Sequence, residues 1–216
     1  MSSLELLVVG DPRLAPTDDL AEARRHLLVA ELEPGEAEAH RDTVLRFVDT
    51  HPDVLHRSCT DGHLTGSAVV VDAAGERVLL MLHRKLGRWF QPGGHADGDA
   101  NLASVAWREA TEETGIAGLR LALPAIDVDV HLVAPPDERS HLHLDVRFLV
   151  VAPGGAVEAG NEESLALRWV RPDQLDELGV DPGTRRLISR GLALLAENRR
   201  SSRAHDGGHG DPGWRE

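Results

Sequence analysis

Between Gln91 and Ile116 the chain reads QPGGHADGDANLASVAWREATEETGI, and this stretch restricts the fold more than any other. Leu102, Val105, Ala106 and Ala110 recur at three- and four-residue spacing, the apolar stripe of a helix packed on a core. Glu109, Glu112 and Glu113 recur at the same spacing, so their carboxylates project to one side of that helix, beside the stripe. Gly115 follows as the left-handed residue that closes a helix. Like charges on one helix face repel by roughly 0.2–0.5 kcal/mol per pair. Mg²⁺ and Mn²⁺ prefer carboxylate oxygens and remove that cost. Gly93 and Gly94 stand upstream, in a loop entering the helix, where a backbone without side chains lets a ligand approach. The competing reading is a solvated acidic face with Arg108 paired to Glu112.

The rest of the chain supplies a sheet for this helix. GSAVVVD (Gly66 to Asp72) and ERVLLML (Glu76 to Leu82) are β-rich runs separated by AAG, and read as a hairpin; a short strand follows at Trp89 to Phe90. AIDVDVHLV and HLHLDVRFLV alternate with period two. In the first, Ile126, Val128, Val130 and Leu132 oppose Asp127, Asp129 and His131. In the second, Leu142, Leu144, Val146 and Phe148 oppose His141, His143, Asp145 and Arg147. The connector APPDERS suits a hairpin loop, which makes the polar faces neighbours and gathers three histidines and three aspartates. Such a face is a metal site, a phosphate site for protonated histidine, or a solvated sheet face. ALRWV is a further strand, followed by a short helix at Pro172 to Leu178 and a helix from about Gly183 to Glu197. Ahead of the sheet, Thr17 to Leu28 and Pro34 to Thr50 read as helices. The organisation expected is therefore a mainly helical extension over 1–60, a main domain over 61–180, a C-terminal helix over 181–198 and a disordered tail over 199–216, rich in Gly, Ser, Arg and His.

Charge narrows the function. The formal net charge is -13, which disfavours nucleic acid as a partner and requires any phosphate site to be local or metal-assisted. HRKLGRW provides Arg84, Lys85 and Arg88 just before the glycines, a cluster able to hold phosphates, or else a hairpin-end surface patch. His83 and His95 flank the same glycines and can share that pocket. Cys59 is the single cysteine, so no internal disulfide forms, which fits a cytoplasmic protein. The opening MSSLELLVVGDPRLAP has no basic leader and predicts no signal peptide, and no run approaches the length of a membrane span.

The run from GGHADGDA to REATEETGI resembles the Nudix box of the Nudix (MutT-like) hydrolases, which reads G, five residues, E, seven residues, R-E-U-x-E-E-x-G-U with U aliphatic. Gly94, Arg108, Glu109, Ala110, Glu112, Glu113, Gly115 and Ile116 fill it; Ala100 stands where the first glutamate is expected, with Asp97 and Asp99 just before it. The resemblance covers Asp61 to Leu178, LRWV matching a late tryptophan-bearing strand. It implies an α/β class fold, a Nudix-type α/β/α sandwich around a mixed β-sheet, here with a helical N-terminal extension. It also implies metal-dependent cleavage of a pyrophosphate bond in a nucleoside diphosphate linked to another moiety, such as a nucleotide sugar, a dinucleotide or a nucleoside triphosphate. By that resemblance Glu109, Glu112 and Glu113, with the Gly93 carbonyl, hold Mg²⁺ or Mn²⁺, and Arg108 orients the glutamates. The general base is a box glutamate or one from a later loop, where EAGNEESLALRWV offers Glu162 and Glu163, with Glu163 ranked first. Arg84, Lys85, Arg88, His95, His141 and His143 are the expected substrate-binding residues. Asp99 can stand in for the acid absent at Ala100, and Ala100→Glu is expected to raise metal affinity or leave it unchanged. The partner implied is a small-molecule nucleotide, with a homodimer left open. Two rivals remain. One is a non-catalytic nucleotide-sensing module, for which Ala100 is the only support. The other is an isoprenyl diphosphate isomerase, which needs a reactive cysteine where this chain has only Cys59.

Overall fold

Strand β2 (Gly62–Val71) is buried along its whole length, and a mixed sheet is built around it. The computed structural model describes residues 4–134, 139–161 and 164–206. In chain order it contains β1 (Leu6–Leu7), α1 (Leu20–Val29), α2 (Glu36–Thr50), β2, β3 (Val78–His83), β4 (Trp89–Phe90), β5 (Gly93–His95), α3 (Leu102–Thr114), β6 (Arg120–Val133), β7 (His141–Val151), β8 (Ser164–Val170) and α4 (Pro182–Asp206). The strands run β1-β6-β7-β2-β3-β4, with β5 beside β2 and β8 beside β3. β2 and β7 are parallel from Gly62 beside Leu142 to Val71 beside Val151, and the other pairs are antiparallel.

Period-two alternation sends β2 into two cores. Leu64, Ala68 and Val70 pack with residues of α1, α2 and α3, including Leu27, Val44, Val105 and Ala106. Val69 and Val71 pack on the opposite face with Leu187, Ile188 and Leu195 of α4. The result is the expected α/β/α sandwich. α4 covers only part of its face; the remainder is the cavity described below.

Several elements differ from expectation, each for a local reason. The N-terminal extension is not only helical, because Leu6 and Leu7 pair with Ala122 and Leu121 and so lengthen the sheet. α1 begins at Leu20 rather than Thr17, since the Asp19 carboxylate caps the Ala21 amide. α3, by contrast, runs as expected: it starts after Asn101, whose side chain accepts from the Ser104 amide, and ends on Gly115 in the left-handed conformation. The short helix expected at 172–178 is a single 3-10 turn, Pro172–Gln174. α4 continues past Glu197 to Asp206, and the Arg199 guanidinium anchors it by donating to the Ala73 and Ala74 carbonyls in the β2–β3 turn. Residues 207–216 of the expected tail, and residues 135–138 of the β6–β7 connector, lie outside the described residues. In β6 a register shift between Ala122 and Asp127 breaks the alternation, so Ile126 packs under α4 while Val128 joins the other core. Among the described residues no helix is long and apolar enough to cross a membrane.

Candidate active site

The glycine pair is the hinge of the site's geometry. β5 lies against β2 with Gly94 beside Gly66 and Gly93 beside Ser67. A Cβ on Gly94 would lie 2.5 Å from the Glu109 Cδ, so the glutamate occupies the space a side chain would fill. The Gly93 amide donates to Glu113 Oε2 at 2.9 Å, and Glu113 is only 2% exposed. α3 packs on one face of the sheet, yet these two carboxylates reach past the glycines into a cavity of about 1150 Å³ lined otherwise from the opposite face. Arg108 fixes one of them, donating to Glu109 Oε1 at 2.8 Å and to the His95 carbonyl at 3.2 Å. The guanidinium thus pairs with Glu109, not with Glu112. Glu112 is exposed and is not part of the cavity lining.

Arg84, Lys85 and Arg88, at the β3–β4 turn, are exposed side chains on the cavity wall, and His95, His141 and His143 line it too. Gly93, Glu109 and Glu113 therefore share one space with all the residues expected to bind substrate. Glu163, the favoured later-loop base, and Glu162 beside it lie outside the described residues.

The aspartates of the polar face have a different task from the one their spacing suggests. Arg147 is buried and donates through Nε to Asp145 at 2.6 Å, through Nη1 to Asp127 at 3.2 Å and through Nη2 to Asp129 at 3.1 Å. Arg186 of α4 adds bonds of 2.9 Å to both Asp127 and Asp129. Asp145 also accepts from the Thr65 and Ser67 hydroxyls at 2.9 and 2.7 Å. Burial alone would raise the pKa of Asp129, but His131, Arg147 and Arg186 together hold it well below the carboxylate range. These acids are counter-ions to two enclosed guanidiniums, and the network forms the cavity floor.

The histidines form a separate cluster. His63 of β2 pairs directly with His143 of β7, and His95 of β5 joins them, with ring centroids 4.9 to 5.1 Å apart. Burial pushes the pKa of His143 down to about 2, helped by His95 and His131; burial and then Arg57 push His95 down to about 4. Burial likewise lowers His63. Of the two roles open to these rings, the neutral one, toward a hydroxyl or a metal, is the one this burial favours for His95 and His143. His63 was missed because the strand was read from Gly66; continuing the alternation back through Thr65 reaches it.

The departure at Ala100 has a structural cause. Ala100 is fully buried, and its amide donates to the Thr17 carbonyl of the N-terminal extension at 2.6 Å. Asp99 accepts from the Thr17 and Asn101 amides at 3.1 and 2.9 Å, and Asn101 Nδ2 donates to the Arg13 and Ala15 carbonyls at 2.8 and 3.0 Å. Asp99 is committed to this clamp and does not stand in for the absent glutamate. Cys59 is also buried, burial pushes its thiol up, and it does not line the cavity, so the isomerase reading has no accessible nucleophile.

Residues 62–191 match the model of the NUDIX domain family. A Mycobacterium tuberculosis protein, provisionally named 8-oxo-dGTP diphosphatase 3, is 30% identical over 115 residues, 50% of this chain and 51% of the relative. The chain thus spans about half the length of that relative. A MutT-like protein of Streptomyces ambofaciens is 29% identical over 153 residues, 68% of this chain and 86% of that protein. Among solved structures, a binary complex of an Ap4A hydrolase from C. elegans aligns with a TM-score of 0.52 over 62% of this chain and 98% of its own, at 17% identity, a likeness of fold.

Proposed function

Because the chain belongs to the NUDIX domain family, we propose that it is a metal-dependent pyrophosphohydrolase, acting on a nucleoside diphosphate linked to another moiety. The observation that carries this reading is the convergence of Glu109 and Glu113 on the Gly93–Gly94 gap, at the mouth of a cavity rimmed by Arg84, Lys85 and Arg88. A buried carboxylate beside a second one, in a cradle that a single Cβ would fill, suits a hard divalent cation. Glu109 and Glu113, with the Gly93 carbonyl, would hold Mg²⁺ or Mn²⁺; the exposed Glu112 would have to turn toward the gap to join them. Such an ion offsets charge on the phosphates and lowers the pKa of a bound water. Arg108 keeps Glu109 turned toward the gap. Arg84, Lys85 and Arg88 attract the phosphates locally in a chain of net charge -13. His141 offers a ring edge to the sugar or base, and His95 and His143 face the same space. A box glutamate or Glu163 takes the proton from water. The cavity exceeds the roughly 300–1,000 Å³ usual for small-ligand sites, enough for a nucleotide. The relatives' names place a purine nucleoside triphosphate and a dinucleoside polyphosphate first among substrates to try. A small nucleotide as the partner, and a cytoplasmic location, belong to the same reading.

The test is formation of the cleaved nucleotide products, separated by ion-exchange chromatography, from 8-oxo-dGTP, dGTP, Ap4A, ADP-ribose and nucleotide sugars, with Mg²⁺ and with Mn²⁺. Turnover of at least one is expected, with Glu113→Gln lowering it by about 100-fold or more, as loss of charge stabilisation at the reacting phosphate would. Glu113→Gln at wild-type turnover would overturn the assignment.

A further inference from the structure

We propose that His63, His95 and His143 form an all-nitrogen site for a borderline divalent transition metal of the Zn²⁺ or Co²⁺ type, additional to the glutamate site on α3. One ligand nitrogen from each ring can be chosen so that all three lie within 4.8 Å of one another. Each ring stands on a different strand, β2, β5 and β7, in direct or next-pair register, so the sheet fixes the spacing. His63 is the strongest sign. It is 3% exposed, and among the described residues neither ring nitrogen has a hydrogen-bond partner. The Cys59 backbone lies near it but outside hydrogen-bond geometry. A buried ring with two unpaired nitrogens is costly, and a metal ion would satisfy one of them, leaving the other as an N–H donor.

The donor set selects the ligand class. Three imidazoles without a carboxylate suit Zn²⁺, Co²⁺ or Ni²⁺ and serve Mg²⁺ poorly. With metal–nitrogen bonds of about 2.1 Å, tetrahedral ligands stand about 3.4 Å apart, so the nitrogens must close by up to about 1.4 Å, within reach of side-chain rotation. An anion would instead require several imidazolium charges about 5 Å apart, which repel. Two more rings border the cluster. His141 lies 4.7 Å from His63 with the rings tilted by 36°, and His131 lies 5.5 Å from His143 with its Nδ1 against Asp129 Oδ2 at 2.9 Å. Three protein ligands leave a fourth position toward the cavity for water or a substrate oxygen, the arrangement of a working rather than a purely structural metal.

The site is read with Co²⁺ alone, without nucleotide, on tag-free, chelator-treated full-length protein. Wild type and the Glu109→Gln/Glu113→Gln double variant should both develop the visible absorption of low-coordinate Co²⁺, and Zn²⁺ should abolish it by competition. His63→Gln and His143→Gln should each weaken binding by on the order of tenfold or more. His95→Gln, at a ring less buried than His63, is the variant to read if either of the others fails to give a native circular dichroism spectrum. No such absorption in wild type, absorption unchanged in folded histidine variants, or its loss in the glutamate variant would each overturn the proposal.

Discussion

Adjacent glycines in β5 should respond oppositely to one methyl group. In Gly94→Ala the new Cβ meets the Glu109 carboxylate, Cδ at 2.5 Å and the oxygens at 2.7 and 2.8 Å. Ordinary contact begins near 3.4 Å, so the carboxylate must retreat by about 0.9 Å. It can do so, being the end of a flexible side chain. Stability should therefore change by less than about 1 kcal/mol, and alanine even reduces unfolded-state entropy. Activity should not survive as well: a displacement of about 1 Å in a catalytic group costs about 100-fold. In Gly93→Ala the methyl group meets Ser67 Oγ at 2.1 Å, Cβ at 2.7 Å and Cα at 2.9 Å. The hydroxyl can rotate away, but the backbone of a central strand cannot. Overpacking of this kind costs about 1–3 kcal/mol, or a melting temperature lower by roughly 2–12 °C for a chain of this size. The assay pairs thermal melts with chromatographic measurement of nucleotide cleavage for both variants. Gly94→Ala within about threefold of wild-type turnover, or Gly93→Ala melting with wild type, would refute the cradle as drawn, since about 1 kcal/mol is already a fivefold rate effect.

Ala100→Glu, expected from sequence to help metal binding or leave it unchanged, should instead lower stability by about 3 kcal/mol or more by forcing an unpaired carboxylate into a buried site, seen in urea unfolding. Arg147→Met leaves Asp127, Asp129 and Asp145 with Arg186 as their remaining guanidinium and should cost about 3–5 kcal/mol at pH 7. Arg147 helps keep Asp129 depressed and opposes the rise that burial gives Asp127, so without it these acids take up protons more readily in the folded state, and the deficit should be largest at pH 7 and narrow as pH falls toward the unfolded Asp value of about 3.9. His26, buried against Phe148 and bonded to Asn101 at 3.0 Å, has a pKa lowered by burial. The unfolded chain therefore binds this proton first, and stability falls as pH drops below about 6.5. His26→Gln should make that acid limb shallower, and an identical limb would count against the assignment.

What could be read from the sequence was local. The acidic helix, its Gly115 stop and the alternation of β7 are encoded in neighbours three, four or two residues apart. The parallel pairing of β2 with β7 is not, because nothing in either strand names its partner across the intervening chain. His63 was lost to that gap and to Gly62 and Gly66, which read as weak strand formers. Alternation placed Asp127, Asp129 and Asp145 correctly on one face with Arg147, but not beneath a lid. Only the arrival of Arg186 from α4 turns that face from a solvated surface into an enclosed ion network. Ala100 looked like a missing ligand because the residue that explains it, Thr17, is far away in the chain.

That clamp has a temporal side. Thr17 leaves the ribosome long before Ala100 and Asn101, yet its carbonyl has no loop to receive until α3 has begun to form. The earlier-made segment must wait to take its place. The Ala100 amide is tied to the Thr17 carbonyl, and the Thr17 amide in turn to Asp99. Deuterium uptake at these two amides would clock the arrival of the N-terminal segment. It would also show whether a fusion at that end loosens the active-site helix at its first turn.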